Sequence, residues 1–351
     1  MHLYAQTLSW LPAAPMIHPI RSAILIVPLF ALGCGDRFAG AAAPLGSSAT
    51  ALITSQGQQL QGQQLQGASL AGGPATSAPA LVHRYDGWIA GRRRLSARII
   101  QGQLSAQDDH GRTLSDAGLI GVLVPADQGA TRVWTVIRDV KPDPTFPEGG
   151  TSLYSIDVVA ADGSTSPLCR PDASGTAAAI PIAALFDDHG DRVESTAQFT
   201  FSCTAGVMAK CYRWGYRPWL QGAVPSQEFT DLHQACTRMA RADYCGNGQT
   251  WTHDGTLINL WDHAPAPGPF QDHGTPPPDF VFEAGWSTKG AVCLSKQRWA
   301  TLPPEIAASC PDRLIAPGVS TAAGSVCDTE GEAVLFDAST QLFNESKLNV
   351  K

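Results

Sequence analysis

Short runs of apolar residues, rich in Val, Ile, Tyr and Trp, alternate with polar positions through much of the chain. Five such runs stand out, at residues 119–126, 131–140, 152–161, 180–186 and 197–203. Stretches such as ADQGA and DPTFPEGG punctuate the runs and are typical of turns. Several short strands bounded by turns favour an antiparallel sandwich or a barrel-like sheet.

Helical spacing replaces this pattern after Cys203. Residues 205–215 predict one short helix, which Gly215 closes in the left-handed conformation. A second helix is predicted from Ser226, a preferred N-cap residue, to a stop at Gly246. Its apolar positions recur every three or four residues and form one face: Phe229, Leu232, Cys236 and Met239. We therefore predict an α+β fold that is mainly β, with one or two short helices.

Charged and turn-forming residues surround the second predicted helix. Arg238 and Arg241 lie off its apolar face, so we expect their side chains to reach solvent or carboxylates. After the helix, Asp254-Gly255 separates two β-like runs. This pair predicts a hairpin, because both central residues of the favoured turn take positive φ.

An apolar run near the N-terminus, residues 22–33, follows Arg21 and predicts export. It is too short to span a membrane and has the length of a signal-peptide core. It ends in FALGC, which resembles a lipobox, so we expect cleavage before Cys34 and lipid attachment to its sulfur. A plain secretory signal is the alternative. Met16 begins a complete signal by itself, and we expect translation to start there.

Residues 34–80 are rich in Gly, Ala, Ser and Gln and poor in charged and aromatic residues. Such a composition buries too little apolar surface to offset the entropy of ordering, which predicts a flexible, lipid-anchored linker. A five-residue period runs through it, with Leu60, Leu65 and Leu70 in phase. The alternative for this repeat is a short ordered edge that docks on the domain.

The chain has nine cysteines, and export would place them where disulfides persist. If Cys34 carries lipid, an even number remains, which supports lipidation independently of the lipobox. We predict that all the others form disulfides: Cys169, Cys203, Cys211, Cys236, Cys245, Cys293, Cys310 and Cys327. Sequence does not fix their connectivity. We expect Cys310 to pair with Cys327, because both lie in a Pro- and Gly-rich region with little else to order it.

These features divide the chain into five parts. They are a signal peptide at 1–33, a linker at 34–80, a β-rich part at 81–168, a cysteine-rich domain at 169–335 and a C-terminal tail at 336–351. The net charge is −7, and no basic cluster exceeds GRRR at 91–94. The sequence therefore lacks the basic footprint of a nucleic-acid-binding protein.

The stretch from 232 to 256 carries residue types that could support chemistry. The set His233, Cys236, Cys245 and His253 would suit zinc by type, but its spacing matches no common site and disulfides compete for the sulfurs. An acid–base pair could come from a second set: Asp243, His253, Asp254, Asp262 and His263. The alternative is structural, with Asp254 in a turn and Asp243 paired with Arg238 or Arg241. We predict no metal, no cofactor and no catalytic residue here.

The tetrapeptide ADYC at 242–245, preceded by LHQACTRMAR and followed by THDGT, resembles the ADYC domain of exported bacterial proteins. The segments FTFSCTAGVMAKCYRWGYRPW (199–219) and FEAGWSTKGAVCLSKQRW (282–299) fit the same pattern. The resemblance covers about residues 150–330. It implies a lipoprotein or secreted protein, and it implies neither an activity nor a catalytic residue.

Six tryptophans in the second half could stack on sugars or anchor an interface, or could pack around the disulfides: Trp214, Trp219, Trp251, Trp261, Trp286 and Trp299. We expect a cell-envelope lipoprotein that acts as a non-catalytic binding or structural module, in the outer membrane of a Gram-negative bacterium. Its expected partners are the membrane, through the lipid, and an envelope protein or polysaccharide. The alternative function is an envelope hydrolase that uses His and Asp.

Overall fold

The structure is a computed structural model, and it describes residues 58–59, 81–145, 151–172, 174–219, 226–252, 256–264, 278–295, 304–310 and 327–347. The predicted signal, Cys34 and most of the linker lie outside these residues. All the described residues fall in one compact unit, residues 47–351. None of the helices within this part is both long and apolar enough to cross a bilayer.

The described strands follow one another in this order: β1 (Gln58–Gln59), β2 (Leu81–Arg84), β3 (Asp86–Ala90), β4 (Arg93–Ile100), β5 (Gln103–Asp108), β6 (Thr113–Ser115), β7 (Leu123–Gln128), β8 (Thr131–Pro142), β9 (Ser152–Val159), β10 (Thr165–Pro167), β11 (Ala179–Ile182), β12 (Leu185–Phe186), β13 (Arg192–Val193), β14 (Gln198–Cys203), β15 (Leu257–Asp262), β16 (Phe280–Ser287), β17 (Gly290–Leu294) and β18 (Leu342–Lys347). The α-helices among the described residues are α1 (Val207–Arg213), α2 (Gln227–Arg241), α3 (Pro304–Ser309) and α4 (Glu330–Phe336), and a 3-10 helix spans Asp116–Leu119.

Six antiparallel strands close into a barrel. β2 pairs with β7, β7 with β8, β8 with β9, β9 with β11 and β11 with β14, which returns to β2. The barrel core includes Val124, Tyr154, Phe199 and Phe201. The prediction of a mainly β fold with a barrel-like sheet is thus confirmed. Because β11 and β14 complete the barrel, the boundary predicted at residue 169 does not separate two bodies.

Four further strands extend the barrel sheet from the N-terminal end of β7. β3 pairs with β7 through Ile89 and Leu123, and β4, β5 and β6 follow as an antiparallel meander. The side chains of Leu95 and Leu104 pack in the barrel core. One face of the extension is therefore buried, and the other is available to solvent.

A second antiparallel sheet has the order β1-β15-β18-β16-β17. Its central strand is β18, which pairs with β15 on one side and β16 on the other. The prediction of a C-terminal tail from residue 336 is therefore wrong. Helix α2 packs on this sheet in a second core, where Phe229, Leu232 and Met239 meet Trp286 and Leu342.

The two predicted helices are confirmed as α1 and α2, and α3 and α4 exceed the expected number. The Ser226 hydroxyl accepts the Phe229 N–H at 3.3 Å and caps α2. Helix α2 ends at Arg241, earlier than the predicted stop at Gly246, because Ala242 already takes the left-handed conformation with φ +51°. The Ala242 N–H then closes the helix on Met239 O at 2.9 Å.

Four disulfides join all eight cysteines within the described residues. Cys169–Cys203 joins the segment after β10 to the end of β14, and Cys211–Cys236 links α1 to α2. Cys245–Cys310 links the end of α2 to α3, and Cys293–Cys327 links β17 to the segment before α4. The expected Cys310–Cys327 pair is therefore wrong. Both cysteines reach back to the folded core, which gives the C-terminal region long-range anchors.

Two local predictions concern segments of the second sheet, namely the hairpin expected at β15 and the repeat that contains β1. β15 begins at Leu257 but pairs with β18, and residues 249–252 form no strand, so the predicted hairpin is wrong. Its turn, residues 253–255, lies outside the described residues. In the repeat, Gln58 and Gln59 form β1 against Ile258 and Leu257. For these two residues the structure supports the ordered-edge alternative.

Candidate functional site

The stretch around ADYC is organised by the guanidinium of Arg238. This side chain is 1% exposed. Its Nη1 donates to Asp243 Oδ2 and its Nη2 to Asp191 Oδ1, both at 2.5 Å. Nη1 also donates to His189 O, and Nε donates to Thr288 O at 3.1 Å. One arginine therefore ties the turn between β12 and β13, the turn between β16 and β17, and the motif itself.

The buried Asp243 carboxylate accepts three hydrogen bonds. Besides Arg238, it accepts the backbone N–H groups of Asn247 and Gly248, each at 3.1 Å. The structural alternative, in which Asp243 pairs with Arg238, is thereby confirmed. A carboxylate held in this way stabilises a loop and has no free oxygen lone pair directed at solvent.

Arg241 is also buried, against the expectation that it would reach solvent or a carboxylate directly. Its Nη2 donates to Gly248 O, and its backbone carbonyl accepts the Thr250 hydroxyl at 2.6 Å. Burial lowers the pKa of Arg241, while Asp243 acts against that shift. Both arginines of α2 thus hold the loop that follows the helix.

Tyr244 connects the motif to the second sheet. Its ring stacks on Trp286 with centroids 5.4 Å apart, and its hydroxyl donates to Glu283 Oε1 at 3.0 Å. Asn344 Nδ2 donates to Glu283 Oε2 at 2.8 Å, and Trp286 Nε1 donates to Asn344 Oδ1 at 2.7 Å. The register of β16 against β18 shifts between Phe282 and Ala284, so Glu283 sits in a bulge. Bulges redirect a side chain, and this one accompanies the inward position of Glu283.

The other motif residues serve packing. Ala242 ends α2, and Cys245 joins it to α3. The backbone of the motif also lies close to Gly290, where an added Cβ would fall 2.5 Å from Tyr244 O. Ala291 N donates to that same oxygen at 2.9 Å. Ala242 and Asp243 therefore hold the end of α2, Tyr244 contacts the second sheet, and Cys245 is joined to α3.

The two sulfurs proposed as zinc ligands are oxidised, since Cys236 and Cys245 belong to different disulfides. His233 lies with Nε2 3.2 Å from Met208 O, and His253 is outside the described residues. Within the described residues, no three His, Cys, Asp or Glu side chains come together in a way that could hold a metal.

The acid–base candidates separate into a buried and an exposed group. Asp262 is buried and accepts the Tyr216 hydroxyl at 3.1 Å. Burial and this carboxylate raise the pKa of Tyr216 well above its usual value. The next residue, His263, is half-exposed, and its Nε2 lies 2.5 Å from Glu330 Oε1. The other oxygen of Glu330 accepts Trp261 Nε1 at 2.6 Å. Sequence reasoning missed Glu330, because it lies far along the chain.

Most tryptophans of the second half pack inside the protein. Four are buried within the described residues: Trp214, Trp219, Trp261 and Trp286. Trp251 is partly buried against the α2 core, and Trp299 lies outside the described residues. The packing alternative thus holds for those four.

Cavities on the described surface include a groove and a smaller pocket. A groove of about 560 Å³ lies over β3, β4 and β5, where polar side chains face outward. A smaller pocket of about 100 Å³ lies between α2 and the β16–β17 hairpin. Neither is lined by His263. Sequence reasoning did not single out the groove residues, although the alternation of apolar and polar positions on β4 and β5 is the signal that marks such a face.

Comparison with curated proteins and with solved structures gave no significant match. The family model for the ADYC domain matches residues 116–300, more than half of the chain. The match begins at the 3-10 helix, so it takes in most of the barrel strands as well as α1 and α2. It includes the arginine-centred contacts, the Glu283 bulge and the tetrapeptide at 242–245. The chain therefore belongs to the ADYC-domain family.

Proposed function

We propose that this protein is an exported, lipid-anchored protein of the cell envelope that acts as a non-catalytic binding or structural module. The observation that carries the proposal is the inward use of the motif's reactive groups. Arg238 and Asp243 satisfy one another, Tyr244 binds Glu283, and Cys245 is in a disulfide. Catalytic groups need access to a substrate. These side chains instead join the end of α2 to the β12–β13 turn, to the β16–β17 hairpin and to α3.

The disulfides support the proposed location. Four cystines in one compact unit are typical of proteins that fold in an oxidising compartment. The remaining cysteine, Cys34, follows the lipobox-like FALGC. Lipid on its sulfur and on a new N-terminus would give stable anchoring, since more than one acyl chain is needed for it.

Labelling with palmitate in a bacterial host tests the anchor. The full chain should incorporate label and sediment with membranes, and Cys34→Ala should abolish both. Ser48→Ala, a change in the linker, is the matched control and should leave labelling intact. Mass spectrometry of the mature N-terminus should find a lipidated Cys34. An unmodified mature N-terminus at another residue would refute the anchor.

The pair of His263 and Glu330 favours a second candidate function, an envelope hydrolase. An imidazole within hydrogen-bond reach of a carboxylate is the arrangement of a general base and its orienting group. Hydrolysis of envelope glycans or peptides by the purified chain, lost in His263→Gln and kept in His110→Gln, would establish it. Equal turnover in both variants would assign the activity elsewhere, and a structural role predicts no turnover at all.

A further inference from the structure

We propose that the groove over β3, β4 and β5 binds a carbohydrate chain. This inference rests on the proposed role as a binding module and names its ligand class. The groove is lined by outward-facing polar side chains, chiefly Asp86, Arg94, Ser96, Arg98, Ser105 and Gln107. We call this surface the β3–β5 groove.

Strand alternation creates the polar face. On β4, Leu95 is buried while Arg94, Ser96 and Arg98 on either side of it along the strand are exposed. The register places Ser96 opposite both Asp86 on β3 and Gln107 on β5. A row of carboxylate, hydroxyl and amide groups therefore crosses three strands.

A second row runs beside the first, where Arg98 lies opposite Ser105. Arg94 and Arg98 are four residues apart, which on a strand is roughly 13 Å. The two guanidinium groups therefore bracket the hydroxyl-bearing centre of the groove. This length suits an oligosaccharide better than a single sugar.

A bulge shapes the groove. The pairing of β3 with β4 shifts between Asp86 and Trp88, and the residue between them, Gly87, has φ +83°. A bulge bends its strand, which helps to make this sheet face concave. The resulting volume of about 560 Å³ lies within the range of small-molecule sites in proteins.

Most of the polar side chains of the groove are left open, whereas Gln107 Nε2 donates to Gly111 O at 2.9 Å and leaves only its carbonyl oxygen to a ligand. Within the described part of the chain, no side-chain hydrogen bond or ion pair engages Arg94, Ser96, Arg98 or Ser105. Their neighbour Arg93, on the opposite face, binds Asp108 at 3.4 Å. Three successive arginines thus differ: Arg92 lies in an exposed turn, Arg93 is paired, and Arg94 is available.

The mixture of groups selects the ligand class. Sugar hydroxyls both donate and accept, so they can accept from the arginines and donate to Asp86 and Gln107. The groove carries both signs of charge, which disfavours a nucleic acid or another uniform polyanion. A hydroxyl-rich chain fits these features.

Titration calorimetry on the full-length chain in detergent tests the inference, with cellotetraose, chitotetraose and tetragalacturonate as probes. We expect saturable binding of at least one probe at about 0.15 M salt, where exposed charges are screened. Binding of tetragalacturonate alone would indicate an acidic glycan, and binding of a neutral probe a neutral one. Arg94→Ala and Arg98→Ala should each weaken binding about tenfold, the loss expected for one charged hydrogen bond.

Arg92→Ala is the matched control, and its affinity should match that of the unaltered chain. All three arginines in these variants are exposed, so unchanged thermal unfolding would verify that the variants fold. The inference is overturned if no probe binds at millimolar concentration, if Arg94→Ala and Arg98→Ala bind as tightly as Arg92→Ala, or if an acidic peptide competes for the groove. None of these results tests the proposed lipid anchor, which the labelling of Cys34 tests separately.

Discussion

Mild acid should destabilise the folded chain, because two imidazoles are fully buried. His83 lies in the barrel core against Phe199 and Phe201, and His233 lies on α2 against Tyr212. The pKa of each histidine is lowered to about 3, by burial at both residues and, at His233, also by the charge of Arg192. Neither histidine accepts a proton in the folded state at the pH values where an exposed imidazole does.

The size of the effect follows from the pKa difference between the two states. An exposed histidine has a pKa of about 6.5, so the unfolded chain binds protons between pH 6.5 and 3 that the folded chain does not. Stability therefore falls as the pH drops through this window. At pH 5 the loss is about 2 kcal/mol for each histidine, and about 4 kcal/mol for both. Carboxylates contribute little there, because most of them titrate at lower pH.

Urea denaturation at pH 7 and pH 5 measures this loss. His83→Leu should remove about half of the difference between the two pH values, while His110→Ala, at an imidazole that is 75% exposed, should leave it unchanged. Within the described residues neither ring nitrogen of His83 has a hydrogen-bond partner. Leucine should therefore also raise stability at pH 7, by about 1–3 kcal/mol. A pH difference in His83→Leu equal to that of the unaltered chain would refute the reasoning, since it would mean that the folded barrel protonates His83 freely.

Three further predictions concern the motif and are measured by the same denaturation assay. Gly290→Ala should lower the free energy of unfolding by about 2–5 kcal/mol, because its Cβ would lie 2.5 Å from the motif backbone. The control Gly163→Ala, also at positive φ but with nothing within 4 Å of its Cβ, should lower it by only about 1–2 kcal/mol. Arg238→Met should cost about 3–5 kcal/mol, because it leaves a buried carboxylate unpaired, and a change under 1 kcal/mol would contradict that role. Replacing Cys245 and Cys310 by alanine together should cost about 4 kcal/mol for a separation of 65 residues, and non-reducing peptide maps of the unaltered chain should recover the two in one fragment.

Local signals in the sequence predicted the elements that depend on neighbouring residues. The runs rich in Val, Ile, Tyr and Trp at 131–140 and 152–161 form β8 and β9, and the cap at Ser226 starts α2. Disulfide connectivity was beyond reach, since it depends on how distant segments pack. The stop of α2 was misplaced because Ala242, a residue that rarely takes positive φ, ends the helix before the glycine does.

The central strand β18 was missed because it is polar. Its sequence, LFNESK, lacks the apolar alternation by which a buried strand is recognised. Asn344 and Glu345 are nonetheless buried, and side chains from neighbouring strands satisfy them. Glu345 accepts Asn259 Nδ2 at 2.6 Å, and Asn344 bridges Glu283 and Trp286. A buried polar strand of this kind can be identified only when its hydrogen-bond partners, which are distant in sequence, are known.

The contrast between the ADYC stretch and the β3–β5 groove bears on where function resides. Both contain arginines, carboxylates and hydroxyls, so composition does not distinguish them. In the ADYC stretch the guanidinium of Arg238 finds two carboxylates and two backbone carbonyls inside the protein. In the groove, Arg94 and Arg98 face outward with no such internal partner among the described residues. A buried donor must be satisfied for the fold to be stable, whereas an exposed donor on a concave face can exchange water for a ligand. Substitution in the ADYC stretch should therefore lower stability, and substitution in the groove should lower affinity while leaving stability intact.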